Sequence, residues 1–397
     1  IKLATLSDTD ATNVTGSELV TNGTFDTDTS GWTTTNFTQS SGVITSSTAN
    51  SQADQTITTV SGKTYTISFD ITANHTDNQN GVYIRNSDGS SYADFRHSNV
   101  TGSFSGTFTA TGASMIVRLY NGATTGTISF DNVSVRLAEE DRSVNGNGLQ
   151  VFGTVTKSAV ATGADLVAYG GFSASNYLEQ PYNSDLDFGT GDMCVMGWVK
   201  PNSGTPYDMI LSRGSTGDSD FYIYNNGKTL QGRVGLGNTV NGTTYGLVAG
   251  VWHQFCMVRT GGTLYLYENG VLVDSEANTE SVSDADAKLV IGARWNLSLP
   301  ANEQNIALVR ISATAPSPEQ IAKIYEDEKV LFQENAKATL YGSSDAVTAL
   351  AYDDSTNILS VGTSAGRSDF QGLRRVNNTT NAVGAAISAS NGLIVEE

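Results

Sequence analysis

Short runs of alternating apolar and polar residues recur along the chain from Leu19 to Leu137. In TYTISFDI, Tyr65, Ile67, Phe69 and Ile71 fall on one face while Thr and Ser take the other. A period of two is that of a strand with one face in a core. The segments GVYIRN, GSFSGTFTA, SMIVRLYN and GTISFDNVSVR repeat it between Gly-rich breaks, which predicts a sandwich or jelly roll. LAEEDRSVNGNG, residues 137–148, is charged and then rich in Gly and Asn, and marks a domain boundary. LQVFGTVTKSAVATGADLVAYGGF then reads as a strand or two leading onward. From Leu178 to about Ile311 the pattern returns in MCVMGWVKP, DMILSRGS, DFYIYNNGKTLQGRVG, VWHQFCMVRTGG, TLYLYENGVLVDSE and KLVIGARW. Asn226-Gly227 and Asn269-Gly270 sit between alternating hydrophobics as hairpin turns.

One helix is clear, near residues 318–331. In SPEQIAKIYEDEKVLF, Ser317 suits the N-cap, Pro318 the first helical position, and Gln320 completes a capping box; Ile321, Ile324 and Tyr325 form the apolar stripe. Farther on, two alternating strands flank Asp353-Asp354-Ser355-Thr356. This section is similar to a single blade of a β-propeller. One blade does not bury its own apolar face, so it is expected to pack against other copies of the chain. The predicted fold is therefore all-β, with two tandem β-sandwich (jelly-roll) domains at residues 17–138 and 173–333. An extended lead-in (1–16), a linker with strands (139–172) and the blade-like oligomerisation segment (334–397) complete it.

The 397 residues carry 22 Lys and Arg against 40 Asp and Glu, a formal charge of −18. Such a field repels phosphate backbones and anionic membranes, so nucleic acid is not an expected partner. It suits solubility or divalent cations. Cys194 and Cys256 lie in apolar runs with no CxxC or Cys/His spacing, which excludes a zinc reading; buried reduced thiols are expected, with a disulfide as the alternative. No run approaches a membrane span, so no membrane insertion is expected. The chain starts at Ile1 without an initiating Met or a signal peptide, which is expected of a processed or partial chain, with any anchor expected in whatever preceded it.

Catalytic patterns are thin. Glycoside hydrolysis needs two carboxylates flanking one bond. The nearest clusters, DSE at 274–276 and YEDE at 325–328, follow a hairpin strand and sit in the helix. A Ser-His-Asp arrangement has little to draw on, since His253 lies in the Trp-His strand and His75 and His97 lie in polar loops. No enzyme is expected.

Three resemblances add to this reading. LVTNGTFDTDTSGW near the start and ISFDNVSVR at the end make residues 18–137 resemble carbohydrate-binding modules of the galactose-binding-like fold. That resemblance implies a structural calcium where first and last strands meet, held by the carboxylates of Asp26 and Asp131 and the backbone carbonyl of Gly23 or Phe25. It makes Trp32 a core plug, and puts Tyr83, Arg85, Tyr92, Asp94, Phe95 and Arg96 in a segment of the sugar-facing kind. FGTGDMCVMGWVKP, VWHQFCMVRTGGTLYLYENGVLV, KLVIGAR, IALVRIS and SPEQIAKIYE, in that order, make residues 173–332 resemble a laminin-G-like or concanavalin-type lectin domain. Trp198 and Trp252 then belong to its core, and Trp295 with Asn296 forms the exposed candidate for stacking on a sugar. Asp218 and Asp220 are candidates for a second calcium, against an ordinary turn.

IAKIYEDEKVLFQENAKATLYG and, after it, AVTALAYDDSTNILSVGTSAGRSDFQGLRRVNNTTNAVGAAISASNGLIVEE make residues 139–397 resemble the C-terminal parts of tail-fibre and other virion structural proteins of marine-type bacteriophages. This implies a virion-surface protein that binds host-surface glycan, assembles with other copies of itself (most simply a trimer) and contacts other virion proteins. A purely architectural role is the alternative, and a polysaccharide depolymerase the distant third.

Overall fold

The structure, a computed structural model, describes residues 14–139, 148–203, 207–216, 219–342 and 346–396. It is all-β apart from one α-helix and short 3-10 turns.

Two sheets face each other over residues 33–139. One is five-stranded, in the order Thr33–Thr35, Ser51–Thr58, Ser114–Asn121, Gly81–Asn86 and Ser91–Arg96. The other runs through Thr38–Ser40, Val43–Ser46, Ile128–Glu139, Thr64–Ala73 and Gly102–Thr109. The alternation explains the packing. Ile67, Phe69, Ile71, Val117, Leu119, Phe130 and Val135 all point between the sheets. Phe25 and Trp32 join this core, their rings 5.4 Å apart. The Trp32 indole N–H donates to the carbonyls of Thr21 (3.1 Å) and Asn22 (3.2 Å), so the polar edge of the plug is satisfied.

The strand Leu149–Ala159 bridges to the next pair of sheets. It pairs with Ile128–Glu139 at Ala138 and Gln150, with Val14–Gly16, and then with both Val167–Gly170 and Tyr177–Gln180. One sheet continues through Tyr177–Gln180, Lys288–Ile291, Asp208–Gly214, Ser219–Asn226, Thr229–Val234 and Val240–Asn241. The other contains Val167–Gly170, Gln304–Ser312, Met193–Pro201, His253–Thr260, Thr263–Glu268 and Val271–Ala277. Leu178, Leu211, Phe221, Ile223, Phe255, Met257, Leu266 and Ile291 fill the space between them.

The helix is Pro318–Lys329, and both halves of its capping box form: Gln320 N–H donates to Ser317 Oγ, and Ser317 N–H to Gln320 Oε1. Ile321 packs onto Cys194, Met196 and Cys256 on the outside of the second sheet. The two thiols are free and buried, with Sγ atoms 3.7 Å apart.

Two local expectations shift. Asn269 (φ 51°) and Gly270 (φ 79°) form the left-handed hairpin turn as read. The other hairpin turns one residue later, at Gly227 (φ 57°) and Lys228 (φ 74°), with Asn226 paired to Thr229. Leu230 is buried opposite Asn225, so core register sets the turn position. The C-terminal section has more than the two expected strands: Val347–Asp353, Ile358–Thr363, Gly366–Gln371 and Arg374–Asn378 form a four-stranded sheet, and Ile387–Ser390 with Leu393–Glu396 adds a hairpin. Leu350, Tyr352 and Leu359 are exposed on this sheet.

Candidate functional site

The outer face of the sheet containing Asp208–Gly214 carries a cleft. Along that strand Leu211 points to the core, so Ser212 points outward, opposite Tyr222 and Val290. Residues 292–301 fold over this face. Leu297 anchors the fold-over by packing with Tyr177, Val290 and Ala293, and the Trp295 backbone N–H donates to Ser212 Oγ at 2.6 Å. The result is a cleft of about 310 Å³ lined by Gly214, Ser215, Asp286, Lys288, Trp295, Asn296 and Leu297.

Trp295 is half-buried, and its indole N–H meets no acceptor among the described residues. Asn296 is exposed; its side-chain oxygen accepts from Ser298 Oγ at 2.6 Å, leaving the amide N–H group outward. Leu297 (φ 64°) and Leu299 (φ 51°) both hold the left-handed backbone that bulky residues avoid. Strain concentrated in one loop marks a shape that the surroundings impose. Lys288 donates to Glu179 at 2.7 Å beside the cleft. Tyr222 and Tyr224, edge-to-face at 5.4 Å, extend the same face. Sequence reading missed these two tyrosines; they alternate with Phe221 and Ile223, and that period was the available signal.

A stacked ladder backs the cleft. Arg136 lies 4.2 Å from the Phe152 ring centroid, and Phe152 stacks on Tyr177 at 4.5 Å and 9°. Burial, aided by Glu179, pushes the Tyr177 hydroxyl up to about 12. Tyr177 therefore stays neutral, and this wall carries the strand Ile128–Glu139 of the first sandwich against the second.

The other sugar-facing candidates stand on the five-stranded sheet. Tyr83 is only 3% exposed, so it does not present a free ring. Its hydroxyl donates to the Gln79 carbonyl, Tyr120 meets it edge-on at 5.6 Å, and the guanidinium groups of Arg85 and Arg96 lie 4.9 and 5.5 Å from its centroid. Tyr83 thus positions two arginines instead of stacking on a ligand. Tyr92 is 39% exposed, Arg96 is paired with Asp94 at 2.6 Å, and Phe95 packs against the core.

The expected calcium ligands meet at the seam of the first sandwich. Asp26 is exposed, Asp131 half-buried, and the two interact by charge, with Asp70 as a third carboxylate that sequence reading missed. Burial, with Asp70 and Asp26 adding repulsion, raises the Asp131 carboxyl above its ordinary range. The Gly23 carbonyl accepts the Val133 N–H at 2.9 Å, and Phe25 turns the chain at φ 48°. Carboxylates and turn carbonyls are the oxygen donors that a hard cation would take. Among the described residues no group of three or more His, Cys, Asp or Glu side chains is placed to hold a metal ion.

Asp218 lies outside the described residues. Asp220 is committed to the fully buried Arg213, which also pairs with Asp187 at 2.5 Å. The carboxylates of Asp274 and Glu276 hold Asn241 and Asn238, and Glu328 is buried on the inner face of the helix. His253 accepts the Val248 N–H and His75 bonds Asn121, while burial lowers the His97 imidazole, which packs against Phe104.

The chain is similar to several solved structures of low identity. Domain 4 of AbnA, a GH43 extracellular arabinanase from Geobacillus stearothermophilus in complex with arabinotriose, is 21% identical over 44% of this chain and 82% of that one, TM-score 0.34. The receptor-binding domain of a botulinum neurotoxin C/D mosaic serotype is 15% identical over 56% and 58%, TM-score 0.41. A heptameric SAP-like pentraxin from Limulus polyphemus is 18% identical over 38% and 76%, TM-score 0.31. No curated protein matches the sequence. Residues 172–322, which include the Trp295 cleft, match the Laminin_G_3 family, the concanavalin A-like lectin/glucanases superfamily.

Proposed function

We propose that this protein binds glycans without transforming them, as a surface component of a virion of the bacteriophage tail-fibre type. The observation that carries the reading is the Trp295–Asn296 cleft on a lectin-type sandwich. An indole face covers the apolar side of a sugar ring, while the Asn296 amide and the Asp286 and Lys288 charges around it recognise hydroxyls. Its binding role is supported by the carboxylate placement: the clustered acids of residues 274–276 and 325–328 are spent on structural partners away from this cleft. Several copies of the chain, most simply three, raise a weak single-site affinity by avidity, and the exposed Leu350, Tyr352 and Leu359 of the C-terminal sheet favour such self-association. Calcium at Asp26 and Asp131 braces the first sandwich and neutralises its acidic seam.

The test is retention of the whole chain on immobilised surface polysaccharide of candidate host bacteria, with and without a chelator. Saturable retention is expected, with Trp295→Ala weakening it by roughly tenfold or more, the loss of a buried aromatic contact. Chelation is expected to lower retention and the melting temperature of the first sandwich together. A folded wild-type chain that no polysaccharide retains would replace this reading with the architectural one.

A further inference from the structure

The outward face of the five-stranded sheet carries an unbalanced row of arginines. Strand register sets Asp54, Arg118, Tyr83 and Asp94 side by side, with Arg85 two residues along from Tyr83 on the same face. Two of the three arginines are neutralised. Arg118 grips Asp54 with both tines of its fork, at 2.8 and 2.7 Å, and Arg96 pairs with Asp94. Arg85 has no carboxylate among the described residues. Its guanidinium rests 4.9 Å from the Tyr83 centroid, half-buried, with its Nε buried and unbonded among those residues.

A guanidinium held on an aromatic ring with no carboxylate partner among the described residues is an uncompensated positive charge in a chain of net charge −18. The ring supplies cation–π attraction but accepts none of the five N–H groups. The buried Nε is beyond the reach of a ligand, so a planar anion meets Arg85 at its terminal Nη groups. From this charge complementarity we infer that the first sandwich binds a carboxylate-bearing sugar, a uronic acid unit of an acidic polysaccharide, with Arg85 holding the carboxylate. The inference rests on the glycan-binding reading and narrows its ligand class. Arg85 and Arg96 work here as a pair held by Tyr83, and Arg85 alone has unused capacity.

The test measures binding of the whole chain to polygalacturonate, to the same polymer after methyl esterification, and to neutral dextran, beside the host-polysaccharide assay above. Esterification removes the charge and keeps the sugar. Binding to polygalacturonate is expected to exceed that to the ester by roughly ten- to hundredfold, the range of a charge-assisted hydrogen-bonded pair. Arg85→Gln is expected to bring the two to parity with an unchanged melting temperature, and Arg85→Lys to keep part of the preference. Equal binding to acid and ester overturns the inference and leaves the glycan reading standing. So does retention on host polysaccharide or dextran without binding to polygalacturonate, and so does an acid preference that Arg85→Gln leaves intact. Failure to bind any of the polymers, host polysaccharide included, overturns both.

Discussion

Replacing Glu328 with alanine is expected to cost about 3–5 kcal/mol of stability, the range for breaking one side of a buried ion pair. Glu328 sits in the last turn of Pro318–Lys329 and is 3% exposed. It accepts the Trp198 indole N–H at 2.8 Å and two N–H groups of Arg310, at 2.5 and 3.0 Å. Trp198 in turn stacks on Phe332 at 4.2 Å and faces Tyr325 at 5.7 Å. One carboxylate thus ties the helix to two strands of the sheet beneath it. Alanine leaves the indole and the guanidinium without their acceptor and opens a void beside them. Glu328→Gln keeps one acceptor oxygen and should lose less. Urea unfolding followed by tryptophan fluorescence reads this directly, because Trp198 and Trp252 both lie under this end of the helix. A midpoint unchanged for Glu328→Ala would make the helix peripheral to the sandwich.

The second large effect is expected at Arg213. Its side chain is 0% exposed and bonds Asp187 and Asp220, while its Nη2 also donates to the Asp284 carbonyl at 3.2 Å. Burial, partly offset by Arg213 but reinforced by Asp284 and Asp187, pushes the Asp220 carboxyl up to about 6. The arginine is therefore outnumbered by the carboxylates around it. Arg213→Met at pH 7 is expected to destabilise by about 3–5 kcal/mol, since it leaves those charges buried and uncompensated.

The pH dependence has a definite sign. Because the folded state holds the Asp220 proton more tightly than the unfolded chain, it binds more protons, and stability falls as pH rises through about 6. The gain on acidification accrues between about 6 and the ordinary value of 3.8, and amounts to about 3 kcal/mol at most. Thermal melts from pH 7 to pH 4.5 should show the wild-type chain gaining stability, Asp220→Asn losing most of that slope, and Arg213→Met recovering partly toward low pH. A wild-type chain that is most stable at pH 7 and above would contradict this electrostatic account.

Periodicity carried much of this fold into view. The alternation in TYTISFDI and SMIVRLYN fixes which side chains enter the core whatever the strands pair with, because successive Cβ atoms must point to opposite faces. The helix was legible for a similarly local reason: its cap, first-turn proline and apolar stripe all lie within a few residues of one another. The same local rule failed at Asn226, where a buried Leu230 shifted the turn by one residue. The aromatic candidate at Trp295 was visible as a polar loop containing one large ring. Tyr83 was read as a sugar-facing candidate from its strand segment, yet its ring is 3% exposed and carries the guanidinium groups of Arg85 on its own strand and Arg96 on the next.

What the sequence by itself determined is the class of fold, the inward-facing residues and the short-range caps and turns, all of which depend on neighbours along the chain. Only the tertiary structure decided that Ser212 and Leu297 seat the Trp295 loop, that Asp70 adds its charge to Asp26 and Asp131, that Glu328 is shared by Trp198 and Arg310, and that among the described residues Arg85 alone in its row has no carboxylate partner. Each of these depends on which residues distant in sequence are brought together. Strand order and register set such meetings, and the alternation of apolar and polar positions specifies neither.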